Sequence, residues 1–130
     1  MITVLKDVTL ESTAATTQAA ASRVTVETYA SEALNFTVTY TTGADESSNT
    51  ASVIVEGFDG TTWIQLGEST NSAGTVTYKE ATYNVAGASG ATAYYGHFKV
   101  DVCWQKIRFG ASESGVDANK GTITVVAMVR

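Results

Sequence analysis

Apolar and polar residues alternate over most of this chain, and helical periodicity is almost absent. The clearest segment is 34–40, in which every second residue is apolar: Leu34, Phe36, Val38 and Tyr40. Because successive side chains of a strand point to opposite faces of a sheet, this pattern predicts one buried and one solvated face. Thr and Val are abundant, and their stiff side chains suit a pleated surface. The chain is therefore expected to fold into β-sheet.

Further strand-like segments recur at intervals of about 8 to 14 residues, with turn residues between them. They lie at 50–58, 62–66, 74–85, 94–104, 106–109 and 121–130, and an eighth strand is expected near the N-terminus, where 2–10 and 23–29 both look extended. Such short connections exclude a parallel sheet. A chain of 130 residues has the size of one domain. We therefore predict a single all-β domain, an antiparallel β-sandwich or jelly roll of about seven or eight strands.

Two loop predictions accompany this assignment. Asp59 and Gly60 stand between two strand segments and suit a type I′ hairpin turn, whose two central residues both need positive φ. Residues 110–120 are rich in Gly, Ser and charged residues and are expected to form a loop.

Charge and composition exclude several classes of partner. The chain has 8 Lys and Arg residues against 13 Asp and Glu, a net charge of −5, and no basic run that would bind nucleic acid. No apolar run approaches the roughly 20 residues of a membrane span. Residues 2–7 lack the features of a signal peptide, and Cys103 is the single cysteine. We expect a protein made in a reducing cytoplasm, with neither a nucleic-acid nor a membrane partner.

No group of residues has the spacing of an active site. His97 is the single histidine and is expected to be structural or exposed, and Cys103 to be a small buried residue. Five carboxylates lack the short, regular spacing of a calcium loop and are interpreted as solvated loop residues: Asp45, Glu46, Asp59, Glu113 and Asp117. No phosphate-binding loop is present. The prediction is a non-enzymatic protein with no cofactor and no metal.

Aromatic residues keep a sugar-binding role open. Trp63, Tyr94 and Tyr95 could form a platform for a carbohydrate, since an aromatic ring offers an apolar face with a polar edge. Trp104 alternates in phase with Phe98 and is instead expected in the core. A carbohydrate-binding module is therefore one alternative function.

Three segments resemble a known group of proteins. Residues 53–66, with the run Asp59-Gly60-Thr61-Thr62-Trp63, resemble a strand–turn–strand unit of small β-sandwich proteins in tailed bacteriophage particles, and similar units occur in discoidin-like modules. Residues 104–109 and 121–125 resemble two later strands of the same group. The resemblance covers about half of the chain.

This resemblance implies a capsid decoration or cement protein. Such a protein binds the outer surface of the phage head and bridges subunits of the major capsid protein, as a homotrimer or another homo-oligomer. A phage neck, tail or fibre adaptor is the alternative within the same group. The absence of proline supports an oligomer, because sheet edges then need protection from charges, bulges or other subunits.

The N-terminal residues 1–29 are the predicted contact segment. One hypothesis makes them an arm that orders on binding, with Ile2, Val4 and Leu5 as apolar contacts and Arg23 as a charged anchor. The competing interpretation makes residues 2–10 an edge strand and residues 11–22, a low-complexity stretch, its loop or a short helix.

Overall fold

The computed structural model describes residues 2–10, 25–27, 33–44, 49–88, 90–101, 104–114 and 120–129. In this part of the chain all regular secondary structure is β-strand. The strands are β1 (Ile2–Thr9), β2 (Thr25–Glu27), β3 (Ala33–Thr41), β4 (Thr50–Phe58), β5 (Trp63–Gln65), β6 (Gly67–Ser72), β7 (Thr75–Glu80), β8 (Tyr83–Ala86), β9 (Ala93–Asp101), β10 (Lys106–Glu113) and β11 (Thr122–Val129). These residues contain no helix long and apolar enough to cross a membrane.

The strands form two packed sheets and one separate ribbon, and every pairing is antiparallel. One sheet has the order β1-β11-β3-β9, and the other has the order β2-β10-β4-β5, with β8 also paired to β4. Strands β6 and β7 pair with each other as a two-stranded ribbon. The predicted antiparallel β-sandwich is confirmed. The strand number exceeds the expected seven or eight because both N-terminal segments form strands, segment 74–85 divides into two strands, and 67–72 adds another.

The alternation seen in the sequence places the core between the two sheets. On β3 the four apolar residues of the 34–40 segment are all fully buried, and on β4 every second residue from Ala51 faces inward. Phe36 lies at the centre, with ring centroids 5.2 Å from Tyr83, 5.3 Å from Phe98 and 5.1 Å from Phe109. Burying each such side chain contributes about 1.5–3 kcal/mol. This core joins the two sheets.

The type I′ turn occurs at a different hairpin from the predicted one. Asp59 and Gly60 do lie in a hairpin, since Phe58 pairs with Trp63, but only Gly60 has a positive φ, of 104°. The Asp59 carboxylate instead accepts hydrogen bonds from the backbone N–H groups of Thr61 and Thr62, both at 2.7 Å. The two-residue turn with both φ values positive joins β6 to β7, at Ala73 (50°) and Gly74 (83°).

The loop expected at 110–120 begins later than predicted. Strand β10 continues to Glu113 because its backbone pairs with β4 as far as Ala51. The interpretation of Glu113 as a solvated loop carboxylate was wrong: the residue is 3% exposed and its side chain points into the sandwich. Its carboxyl group accepts hydrogen bonds from the Tyr40 hydroxyl and from the Gly121 N–H, the latter at 3.1 Å. A buried polar group needs such partners.

The N-terminal strand is one edge of the four-stranded sheet. Strand β1 pairs with β11, and its register shifts twice, between Thr3 and Leu5 and between Leu5 and Val8. Asp7, in the second irregularity, has a φ of 48°, and its N–H donates to Thr124 Oγ1 at 3.0 Å. Residues 2–9 therefore form an edge strand. Residues 11–22, Arg23, Asp45, Glu46, Cys103 and Asp117 lie outside the described residues.

Candidate interaction surface

One side of the sandwich carries the ribbon, the last strand of the four-stranded sheet and the strand β8. Strand β8 lies across from β9, because a Cβ added at Gly96 would come within 2.7 Å of the Val85 side chain. The β6–β7 ribbon directly precedes β8 in the sequence. We call β6, β7, residues 81–86 and β9 together the hairpin edge.

The two outer strands of the four-stranded sheet differ in regularity. Strand β9 pairs with β3 over nine consecutive residues without a register shift, and no other described strand pairs with it. Strand β1 at the opposite edge carries the two irregularities given above, which disfavour pairing with another chain. Regular edge strands are templates for strand addition. The hairpin edge is therefore the side better suited to contact another protein.

The β6–β7 ribbon projects from the sandwich and exposes apolar side chains. Every side chain of β7 is exposed, including Val76 at 68% and Tyr78 at 49%, which share one face of the strand. An isolated two-stranded ribbon is only marginally stable in water. Exposed apolar groups on such a ribbon are typical of a contact element rather than of a core strand.

Hydrogen bonds fix the base of this ribbon to the sandwich. The Ala81 N–H donates to the Leu66 carbonyl at 3.0 Å, and the Gln65 side-chain amide donates to the Ala81 carbonyl at 3.2 Å. The Tyr78 hydroxyl donates to the Gln65 carbonyl. Burial raises the pKa of the Tyr78 phenol, and the negative charge of Glu80 raises it further. The ribbon thus has a fixed base and an exposed tip.

A polar cavity of about 430 Å³ lies at this base. Its walls are Gly67, residues 79–83 and Lys99, so it lies between the ribbon and β9. Lys79 and Lys99 line it from different elements, and Glu80 also lines it. The cavity therefore brings together two cations that are 20 residues apart in the sequence.

The outer side of β9 carries the most exposed large hydrophobic side chain of the described residues. Tyr95 is 76% exposed and pairs in register with Thr39, while His97 is exposed and pairs with Thr37. The expectation that His97 is structural or exposed thus agrees with its position on the surface. Neighbouring Tyr94 faces the other way and packs against the core. Of the two tyrosines, Tyr95 is exposed and Tyr94 is partly buried.

Both tryptophans are engaged in packing. Trp104 packs against the core, as expected, and its ring lies on Gly57, where an added Cβ would approach the ring to 2.5 Å. The Trp63 ring lies 5.1 Å from the Phe58 ring, and the Arg108 guanidinium stacks on it at 4.1 Å. Arg108 in turn pairs with Glu56 at 2.7 Å. With one face covered by Arg108, Trp63 is poorly placed as a sugar platform.

The predicted contact residues of the N-terminal segment separate into three groups. Ile2 is 41% exposed at the start of β1 and remains available to a partner. Val4 and Leu5 are both 2% exposed and belong to the core, so their side chains are not available as contacts in this fold. The bulge between Thr3 and Leu5 explains how two consecutive residues both point inward. Arg23 lies outside the described residues.

Sequence reasoning did not identify Val76 and Tyr78 as contact residues. Their alternation with Thr75 and Thr77 resembles that of a half-buried strand. A signal was nonetheless present, because residues 67–72 contain no apolar residue that a paired strand could bury.

The described residues hold no group of three or more His, Cys, Asp or Glu side chains placed to share a metal ion. Among the carboxylates, Asp59 is exposed, and hydrogen bonds from the backbone of Thr62 and Thr61 lower its pKa below the usual 3.8. These bonds stabilise the turn.

No protein-family model matches this chain, and no curated protein matches its sequence.

Proposed function

We propose that this chain is a non-enzymatic structural protein that decorates the head of a tailed bacteriophage. In this role it binds the outer surface of the shell, contacts subunits of the major capsid protein, and acts as a homotrimer or another homo-oligomer. The observation that carries the proposal is the projecting β6–β7 ribbon, with Val76 and Tyr78 exposed on one face.

The shape of the hairpin edge supports docking to a protein surface. A ribbon with a fixed base reaches beyond the sandwich, and the adjacent regular strand β9 offers a second contact element. Side chains that bury apolar area at the centre of an interface supply most of its binding energy. Val76 and Tyr78 are placed for this role, whereas the buried Val4 and Leu5 are not.

Particle composition tests the proposal directly. Quantitative mass spectrometry of purified phage particles would give the number of copies of this chain per copy of the major capsid protein. Hundreds of copies in a fixed ratio are expected for a decoration protein. A handful of copies would favour the neck, tail or fibre adaptor, and absence from the particle would refute a virion role.

A pair of variants tests the ribbon as the contact element. Val76→Asp places a charge on the apolar face of β7, and we expect particle binding to weaken at least about tenfold. Thr75→Asp is the matched control, since Thr75 is exposed on the opposite face of the same strand. Equal binding by the two variants would remove the Val76 face from the interface.

One observation favours a second candidate, a carbohydrate-binding module. Tyr95 is 76% exposed on the outer face of the four-stranded sheet, beside His97 and Thr39. An exposed aromatic ring of this kind stacks on sugar rings. Glycan-array binding that disappears in Tyr95→Ala, together with absence from particles, would favour this function over decoration.

A further inference from the structure

The outer edge of β9 directs backbone groups away from the sandwich. Strand β9 is nine residues long, and it pairs with β3 without a register shift. Directly beyond the last pair of this ladder, the Thr42 N–H donates to the Thr92 carbonyl at 3.1 Å. Because the backbone groups of a strand alternate between its two sides, the even-numbered residues of β9 therefore bond to β3. The odd-numbered residues, from Ala93 to Asp101, direct their N–H and C=O groups to the outer edge.

In the part of the chain that the structure describes, no strand covers this edge. Strand β9 pairs with β3 alone, and β6 and β7 pair only with each other. An open cavity lies between the ribbon base and β9 at Lys99, so the ribbon does not close the edge there. The nine residues contain neither a bulge nor a proline. They offer an incoming strand a regular template about 30 Å long.

We propose that β9 pairs with β9 of a second copy of this chain, antiparallel and around a two-fold axis at His97. Two four-stranded sheets then join into one continuous sheet of eight strands, a size within the common range. A two-fold contact suits an unprotected edge because it satisfies the backbone groups of both copies at once. The proposal specifies the homo-oligomer of the proposed function as a dimer, and it rests on that function in this respect alone.

The length of β9 selects one symmetric register. A two-fold axis at His97 pairs all nine residues, whereas moving the axis by one residue pairs only residues 93–99 or 95–101. In the full register the odd-numbered residues of the two copies exchange N–H to C=O hydrogen bonds, about ten in all. Directly opposite residues share a face of the sheet. Tyr95 therefore lies opposite Lys99 of the second copy, twice in each dimer.

The side chains that meet in this register are complementary. A lysine on an edge strand opposes pairing when it faces another cation, but here the Lys99 ammonium faces the exposed Tyr95 ring, a cation–π contact. Placing Lys99 opposite its own copy would leave only residues 97–101 paired. On the inner side, the half-buried Phe98 comes opposite Gly96 of the second copy, which leaves room for its ring. Strand β9 contains one lysine and one aspartate, so the net charge of −5 does not accumulate on it.

Sedimentation equilibrium and amide exchange of the full chain test the pairing. We expect a concentration-dependent equilibrium between monomer and dimer. As the dimer forms, the amide protons of Tyr95, His97 and Lys99 should exchange more slowly, because they gain acceptors. Those of Gly96 and Phe98 bond to β3 in both states and are the internal control. A monomer at every concentration, a trimer, or a dimer in which the odd-numbered amides are not protected would overturn the proposal.

Charge variants test the register. Tyr95→Lys puts a lysine opposite Lys99 of the second copy in two symmetric pairs, and we expect the dimer to weaken about tenfold. Thr3→Lys is the matched control, since Thr3 is exposed on the opposite edge strand β1. Tyr95 and Thr3 are both exposed, so these variants are expected to fold, which far-UV circular dichroism would check. Equal weakening in Thr3→Lys would overturn the proposal.

A double variant gives the sharper test of the same register. Adding Lys99→Glu to Tyr95→Lys restores opposite charges in both pairs, and the dimer should recover. Residues 95 and 99 lie about 13 Å apart along one strand, so recovery reports a contact between copies. A double variant that stays as weak as Tyr95→Lys would overturn the proposed register.

The outcomes for the dimer and for the decoration role are distinguishable. A dimer that weakens in Tyr95→Lys, formed by a chain that is absent from phage particles, would refute the decoration role and leave the pairing established. A chain that is monomeric at every concentration but present on particles in a fixed ratio would refute the pairing and leave the decoration role intact. If particle binding by such a monomer were lost in Tyr95→Lys, the edge would instead receive a strand of the shell protein.

Discussion

The hydrogen bond between Tyr40 and Glu113 is the clearest target for a stability measurement. Tyr40 is fully buried and Glu113 is 3% exposed, and the Tyr40 hydroxyl donates to Glu113 Oε1. The other carboxyl oxygen, Oε2, accepts from the Gly121 N–H at 3.1 Å. In Tyr40→Phe, therefore, Oε1 loses its donor in a place that water does not reach.

The expected loss in free energy of unfolding is about 2 kcal/mol. Leaving a buried acceptor without its donor costs about 1–3 kcal/mol, and removing one oxygen atom adds little cavity volume. For a chain of this length, about 2 kcal/mol lowers Tm by about 6 to 10 °C. The sheets and their pairing should be unaffected, because every backbone partner of β3 remains.

Urea denaturation followed by far-UV circular dichroism would measure this loss. The midpoint should fall while the m-value stays constant. Tyr95→Phe is the control, since its hydroxyl is on an exposed ring, and it should stay within about 0.5 kcal/mol of the wild type. A double-mutant cycle with Glu113→Gln isolates the pair. The reasoning would be refuted if Tyr40→Phe were no more destabilising than Tyr95→Phe, or if the two changes at 40 and 113 were additive.

Three further predictions concern single positions in turns and close contacts. Gly57→Ala should destabilise the fold by about 1–3 kcal/mol and change tryptophan fluorescence, because the new methyl group would displace the Trp104 ring; unchanged fluorescence and stability would contradict this contact. Asp59→Ala should be less stable than the wild type at neutral pH. Because the folded-state pKa of Asp59 is lowered, this difference should shrink as the pH falls below 3.8, and a difference that is independent of pH in urea titrations would contradict it. Ala73→Asn should slow hydrogen exchange in the β6–β7 ribbon. Asn adopts the positive φ of this turn with about 1 kcal/mol less strain than Ala. Faster exchange in the variant would contradict a type I′ turn at this position.

Alternation in the sequence predicted the strands that make up the core. Strand β4 has the predicted bounds, and the inward residues of β3 and β11 are the predicted ones wherever their side chains are described. These predictions succeed because a strand buried on one face needs an apolar residue at every second position, which is a local requirement visible in any single segment. The turn residues Asp59 and Gly60 likewise predicted the position of the hairpin between β4 and β5. The predicted turn type, type I′, was wrong at this hairpin.

Features that depend on a distant strand were not predictable. Glu113 follows a glycine, an alanine and a serine, which is typical of a loop, and only pairing with β4 and the approach of Tyr40 make it a buried strand residue. Val4 and Leu5 were predicted as apolar contacts of an N-terminal arm, but the bulge against β11 directs both side chains into the core. In each case the partner lies more than 50 residues away.

The sequence by itself thus determined the fold class, since the period of two and the short connections permit an antiparallel sandwich and disfavour helices. Only the tertiary structure decided which surface is suited to binding. Val76 and Tyr78 have the pattern of a half-buried strand, and they are exposed because neither of the two sheets that the structure describes covers their ribbon. Lys79 and Lys99 become neighbours of one cavity only when β7 and β9 meet at the same edge. Burial and proximity are properties of the packed chain, and a local pattern of residues does not contain them.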